Sequence, residues 1–261
     1  MITQLIIYLL LAVFSGFLAG LLGIGGGIIL VPALYLMFQN IPFINQPMHI
    51  AIGTSLAIIT IASLESSYLY QKRTAIYWPI IKKFFPSLIL GAIIGSLASY
   101  FIKDKILLYI FAIIAFIIGL YLLLLKKRIL SHKNLKKFEI FICSFVIGFL
   151  ATMLGVGGGL IALPIFFLFI KIPSYSLVGT SSVLTFLTSI VGMFSYVFMG
   201  YDKINKYSLG YVFLPAFIII SIFSIFFVYL GIKIEDKINT KNLKKIFAVV
   251  LIATSLFLIF Q

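Results

Sequence analysis

Residues 16–32 read GFLAGLLGIGGGIILVP, and residues 148–164 read GFLATMLGVGGGLIALP. At a shift of 132 the two agree at eleven of seventeen positions. The first copy carries Gly25, Gly26 and Gly27 in succession, the second Gly157, Gly158 and Gly159. Each is followed five residues on by a proline, Pro32 or Pro164. Glycine is a poor helix former and proline a worse one. A chain that places such a break in two otherwise apolar stretches opens its backbone at equivalent points of a hydrophobic environment.

The rest of the 261-residue chain supports a membrane setting. It is 63% apolar and 10% charged. Hydrophobic stretches fall at about 4–38, 47–70, 79–101, 106–125, 138–170, 175–200, 208–232 and 244–260, against the ~20 residues needed to cross a bilayer. From Met1 to Gln71 the one charged side chain is Glu65. The expected fold is all-α, a polytopic integral membrane helical bundle with residues 1–261 forming a single domain in the lipid bilayer. No basic leader with a small-residue cleavage site opens the chain, so a removable signal peptide is not expected.

The net charge of +14 does not indicate nucleic acid. The basic residues lie in short loops between apolar spans, where the cytoplasmic Lys/Arg bias places them. Cys143 allows no internal disulfide and no metal cluster. His49 and His132 lie near expected interfaces without Cys or His at ligand spacing, so no metal is expected, and no cofactor. Trp78, Tyr100, Tyr207 and Tyr211 read as interface anchors.

The linker KKRILSHKNLKK, residues 126–137, separates a first repeat, 1–125, from a second, 138–261. Duplication of this kind is common in secondary transporters. The first stretch of each half would be ~50 Å long as one helix, against a ~30 Å hydrocarbon core. It either crosses once or returns as a re-entrant, Gly-broken helix pair. Single crossings make the halves parallel and divide the Lys and Arg residues twelve to eight; hairpins make them inverted and divide them sixteen to four. The positive-inside rule favours the second. The two pseudo-symmetric repeats are therefore expected to be inverted, with the termini outside and the linker in the cytoplasm.

Several groups could act on a substrate. Irregular backbone at membrane depth must be buried in protein or line a watery cavity. A glycine break opening onto a helix N-terminus offers amides and a positive dipole end to an anion. Two such breaks facing each other would form one midplane site; alternatively, the glycines serve only close helix packing. A second repeated element, Gly53-Thr54-Ser55 and Gly179-Thr180-Ser181, recurs at a shift of 126 early in helices that begin after Pro47 and Pro173. Its hydroxyls would donate to an oxyanion or bond their own i−4 carbonyls. Glu65 has Val191 as its counterpart, and an intramembrane carboxyl is a functional candidate: it would relay a proton or pair with Lys72 or Arg73. Arg73, at the end of its stretch, would attract anions or simply orient the span.

In these residues the chain resembles the TauE/SafE family of sulfite exporters and sulfonate permeases. The likeness rests on the twin GFLAGLLGIGGGIILVP and GFLATMLGVGGGLIALP segments, each followed by Gly-Thr-Ser, and extends over nearly the whole length. It implies export of a small sulfur-containing anion such as sulfite or an organosulfonate. Uptake of another small anion is the variant reading. A membrane enzyme would need clustered acid–base or metal groups that the spans do not offer. A structural or assembly protein would not need a duplicated glycine break. No G-x-x-x-x-G-K-[ST] loop is present for direct use of ATP. The Ile-, Lys-, Phe- and Asn-rich composition points to the plasma membrane of a prokaryote. The oligomeric state is left open by the sequence.

Overall fold

A computed structural model of the chain describes residues 2–124, 136–170, 172–201, 207–235 and 240–259. Residues 126–135 of the expected linker lie outside these. Ten α-helices are described: α1 Ile2–Leu22, α2 Gly27–Phe38, α3 Pro47–Lys72, α4 Trp78–Tyr100, α5 Asp104–Leu124, α6 Lys137–Leu154, α7 Gly158–Phe169, α8 Leu177–Met199, α9 Leu214–Glu235 and α10 Thr240–Ile259. Seven of them are long and apolar enough to cross a membrane. The fold is thus an all-α polytopic membrane bundle.

Each long first stretch is two helices. The break after α1 is held by glycines with positive φ at Gly23, Gly25 and Gly26, and the break after α6 by Gly155 and Gly157. Gly155 closes α6 in the left-handed conformation, the usual helix-ending role of this residue. Pro47 opens α3, where its missing N–H costs nothing. Pro173 does not open α8 directly: a 3-10 turn, Ser174–Ser176, intervenes before Leu177. The apolar stretch expected from 208 begins instead as a small hairpin, β1 Ser208–Leu209 against β2 Val212–Phe213. Gly210 supplies the turn with φ +57°.

The chain folds back at the first break. Near the end of α1, the carbonyls of Ala19 and Gly20 accept from Ser66 and Tyr70 in the last part of α3. Gly25 then lies against Ile59, midway along α3. At the end of α2, the Phe38 ring packs 5.2 Å from that of Phe213, whose amide bonds Thr54 in the first part of α3. So α2 runs back toward the end of the bundle from which α3 starts.

α3 and α8 form the centre and run antiparallel. Gly53, near the start of α3, faces Tyr196 near the end of α8, and Gly179, near the start of α8, faces Tyr70 near the end of α3. Around them, the first helix of each half packs on the fourth helix of the other, α1 on α9 and α6 on α4. Gly16 of α1 sits on the backbone of Ser224, and Gly148 of α6 on that of Leu88. Small residues let helix backbones approach in lipid, where no hydrophobic force drives them together. α5 packs chiefly on α10 and touches α3 over a short length. Large apolar side chains such as Ile222 and Phe226 stay exposed on the outer faces, as a lipid-facing surface requires.

Candidate functional site

The two glycine breaks meet at the middle of the bundle. Gly25 and Gly157 each abut both Ile59 of α3 and Thr185 of α8. These two side chains are themselves related by the shift of 126, and they occupy the space between the breaks. Gly27 lies against Gly155 and Val156 of the opposite break, and Gly159 against the Gly23 carbonyl. All six glycines singled out in the sequence, Gly25 to Gly27 and Gly157 to Gly159, are buried in one place.

The Gly-Thr-Ser elements build the frame around it, and they do so reciprocally. The Ser55 hydroxyl donates to the Gly155 carbonyl at 2.8 Å, and the Ser181 hydroxyl to the equivalent Gly23 carbonyl at 3.1 Å. Each serine thereby ties its own half to the break of the other. Thr54 accepts from the Phe213 amide at 2.9 Å, and Thr180 from the Tyr77 amide at the same distance. These amides immediately precede α9 and α4, so the threonines fix where those helices begin. Gly53 and Gly179 lack a side chain because the carbonyls of Tyr211 and Ala75 pass directly over them.

The breaks are not equivalent in their polar chemistry. In the second, the Gly158 and Gly159 amides donate to the hydroxyls of Thr188 and Thr185, each at 2.8 Å. Thr185 also donates to Gly23 at 2.9 Å. The counterparts of Thr185 and Thr188 at a shift of 126 are Ile59 and Ala62, which have no hydroxyl. Among the described residues, the amides at the head of α2 therefore lack the side-chain caps present at the head of α7. Thr185 and Thr188 did not stand out in the sequence, because their role shows only when α8 is laid beside the break.

The two charged candidates lie elsewhere. Glu65 is half-buried on α3 and makes no ion pair among the described residues; its Oε2 is shielded from solvent with no hydrogen-bond partner. Of its two alternatives, pairing with Lys72 or Arg73 is not found among the described residues. Lys72 rests 4.4 Å over the Tyr68 ring, and Arg73 approaches Glu235 at 4.0 Å. Neither Glu65 nor Arg73 is brought to the breaks. Tyr211, expected as an interface anchor, is instead 1% exposed and donates to Gln46 at 2.6 Å. His49, expected near an interface, is buried as well. His49 stands in the first turn of α3 and Tyr211 in the turn of the β1–β2 hairpin, which packs over that end of α3.

The profile of the sulfite exporter TauE/SafE family matches residues 8–258. A probable membrane transporter protein of Haemophilus influenzae is 32% identical over 98% of both chains. One of Methanocaldococcus jannaschii is 32% identical over 98% of this chain and 97% of its own. The probable membrane transporter protein YunE of Bacillus subtilis is 29% identical over the same shares. No solved structure matches. With relatives in bacteria and an archaeon that align end to end, and seven membrane-length helices, this is a multi-pass prokaryotic membrane protein. The chain belongs to the sulfite exporter TauE/SafE family of membrane transporters.

Proposed function

We propose that this transporter is a secondary carrier that exports a small sulfur-containing anion, sulfite or an organosulfonate, along a path between the twin breaks. The observation that carries this reading is the meeting of the two breaks at the bundle centre, with Ile59 and Thr185 between them. Uncapped amides at a helix start suit an oxyanion, and the break before α2 is the one without threonine caps. Thr54 and Thr180 each accept from a backbone amide and retain an O–H to donate. A proton is a candidate co-substrate, with Glu65 as one intramembrane carboxyl able to hold it.

In proteoliposomes loaded with sulfite, thiosulfate, sulfoacetate or sulfate, one or more of these anions is expected to move down its gradient without ATP. Failure of all of them would end the sulfur-anion reading. A hydrogen bond to a charged partner contributes ~1.5–3 kcal/mol, so Thr54→Val and Thr180→Val should each weaken anion binding about ten- to a hundredfold. Thr→Ser at the same positions should restore most of it. Normal affinity in both valine variants would remove these hydroxyls from the site.

The reading includes inverted halves, which the antiparallel α3 and α8 support. A reporter fused after Gln261 is expected to register the extracytoplasmic side, and one inserted in residues 126–137 the cytoplasm. A cytoplasmic C-terminus would refute the inversion.

A further inference from the structure

At the end of the bundle where α3 starts, a buried histidine sits between two oxygen acceptors. His49 is 1% exposed. Its Nε2 faces the Ser99 carbonyl at 3.0 Å, and its Nδ1 contacts Asp104 Oδ1. A carbonyl only accepts, so Nε2 carries a proton. A second proton must lie between Nδ1 and the carboxylate, whichever of the two atoms holds it. The arrangement therefore contains one proton more than a neutral imidazole and a free carboxylate. The other carboxylate oxygen, Oδ2, accepts from the Met48 amide at 2.8 Å in the first turn of α3. Asp104 itself opens α5. The pair is thus a direct polar tie between α3 and α5.

Among the described residues no other acid faces the ring. From the hairpin, Tyr211 packs its ring 5.3 Å from that of His49. From α8, Tyr196 bonds the Ser99 hydroxyl at 2.5 Å. Tyr35 of α2 lies in the field of Asp104 and of Tyr109 of α5, and Lys103 and Lys105 flank Asp104 in the chain.

We propose that His49 and Asp104 form a proton-binding site that locks α5 to α3, and that departure of the shared proton releases α5. Loss of that proton would set the Nδ1 lone pair against a carboxylate oxygen in a buried place, which is repulsive without a donor between them. The two groups must then part. What α5 covers gives the movement a use. Phe111, Ile114, Ala115 and Ile118 of α5 form one wall of a crevice whose other wall is Ile28, Leu154, Val156 and Leu160, at the two breaks. Because α5 rests mainly on α10, the two can swing together and widen that crevice. The proton leaves to water at the same end of the bundle. This inference rests on the proton-coupled reading above and names the site of the coupling.

Asparagine at 104 separates a proton switch from a structural contact. Its carboxamide oxygen can accept from Met48, and its NH2 can donate to Nδ1 of a neutral His49 whose Nε2–H still reaches Ser99. Asp104→Asn therefore keeps the tie but removes the exchangeable proton. In full-length protein carrying Cys143→Ser, spin labels at Asn45→Cys, just before α3, and Ile106→Cys, in α5, report how far α5 lies from the start of α3. The expected result is a distance that lengthens as pH rises from about 5 to 9 in the parent, and one that stays at the short value throughout in Asp104→Asn. In proteoliposomes Asp104→Asn should lose the response of transport to a pH gradient, with its melting temperature close to the parent's. A distance that does not change with pH in the parent would overturn the proposal. So would a gradient response that survives in Asp104→Asn and vanishes in Glu65→Gln. If none of the sulfur anions is carried while the pH-dependent distance remains, the substrate reading fails and the proton site stands.

Discussion

Gly27→Ala is expected to abolish transport and to lower the melting temperature of the purified protein. A methyl at this position would lie 2.5 Å from the Val156 Cα and 2.6 Å from the Gly155 carbonyl oxygen. Both obstacles are backbone of the other half's break, so no rotamer change relieves them. The halves must separate at their centre. Overpacking of this kind costs ~1–3 kcal/mol even where side chains can adjust, and here they cannot. Gly26→Leu should fail for a second reason: Gly26 has φ +76°, and its side-chain direction runs into Ser15 of α1. Gly158→Leu would displace the Thr188 cap. Gly119→Ala is the milder comparison, since its nearest neighbours are side-chain atoms, Ile252 Cγ1 at 2.9 Å and Leu251 Cβ at 3.0 Å, with the Ala248 carbonyl oxygen next at 3.2 Å. Wild-type transport and melting in Gly27→Ala would show that the two breaks are not locked together.

Ser55→Ala is expected to destabilise the protein more than Ser181→Ala, although the two serines are equivalent in sequence. Each donates to the carbonyl that starts the opposite break. Removing the Ser181 hydroxyl leaves the Gly23 carbonyl in reach of the Thr185 hydroxyl at 2.9 Å, a donor it shares with the Ser181 carbonyl at the same distance. Ile59 stands where Thr185 would be in the first half, so among the described residues no such second donor serves Gly155. A buried acceptor left without a partner costs ~1–3 kcal/mol; Ser55→Ala should lose an amount in that range and Ser181→Ala less. Thermal or denaturant unfolding in one detergent would measure both. Equal losses, or a larger one for Ser181→Ala, would contradict the asymmetry of the breaks.

The sequence alone determined the membrane setting, the duplication and the places where the backbone opens. Each of these is a local property. Hydropathy over some twenty residues decides burial in lipid, and Gly25 to Gly27 or Gly157 to Gly159 cannot continue a helix well in any context. The family likeness followed from the same two segments.

What the hydroxyls do was decided only by tertiary structure. Thr54 and Thr180 read equally well as ligand donors or as bonds to their own helix. In the fold they accept from amides about 100 or more residues away in the chain, and a third shift of 136, from Tyr77 to Phe213 or Leu88 to Ser224, emerges from those contacts. His49 and Asp104, 55 residues apart, carry no mark of each other in the sequence, because the pairing requires α5 to dock beside the start of α3. Glu65 stood out for its charge alone, yet among the described residues the fold gives it neither an ion-pair partner nor a place at the breaks. Polar groups in a membrane protein are too few to form a local pattern, and each one's meaning depends on the distant backbone atom or side chain that meets it.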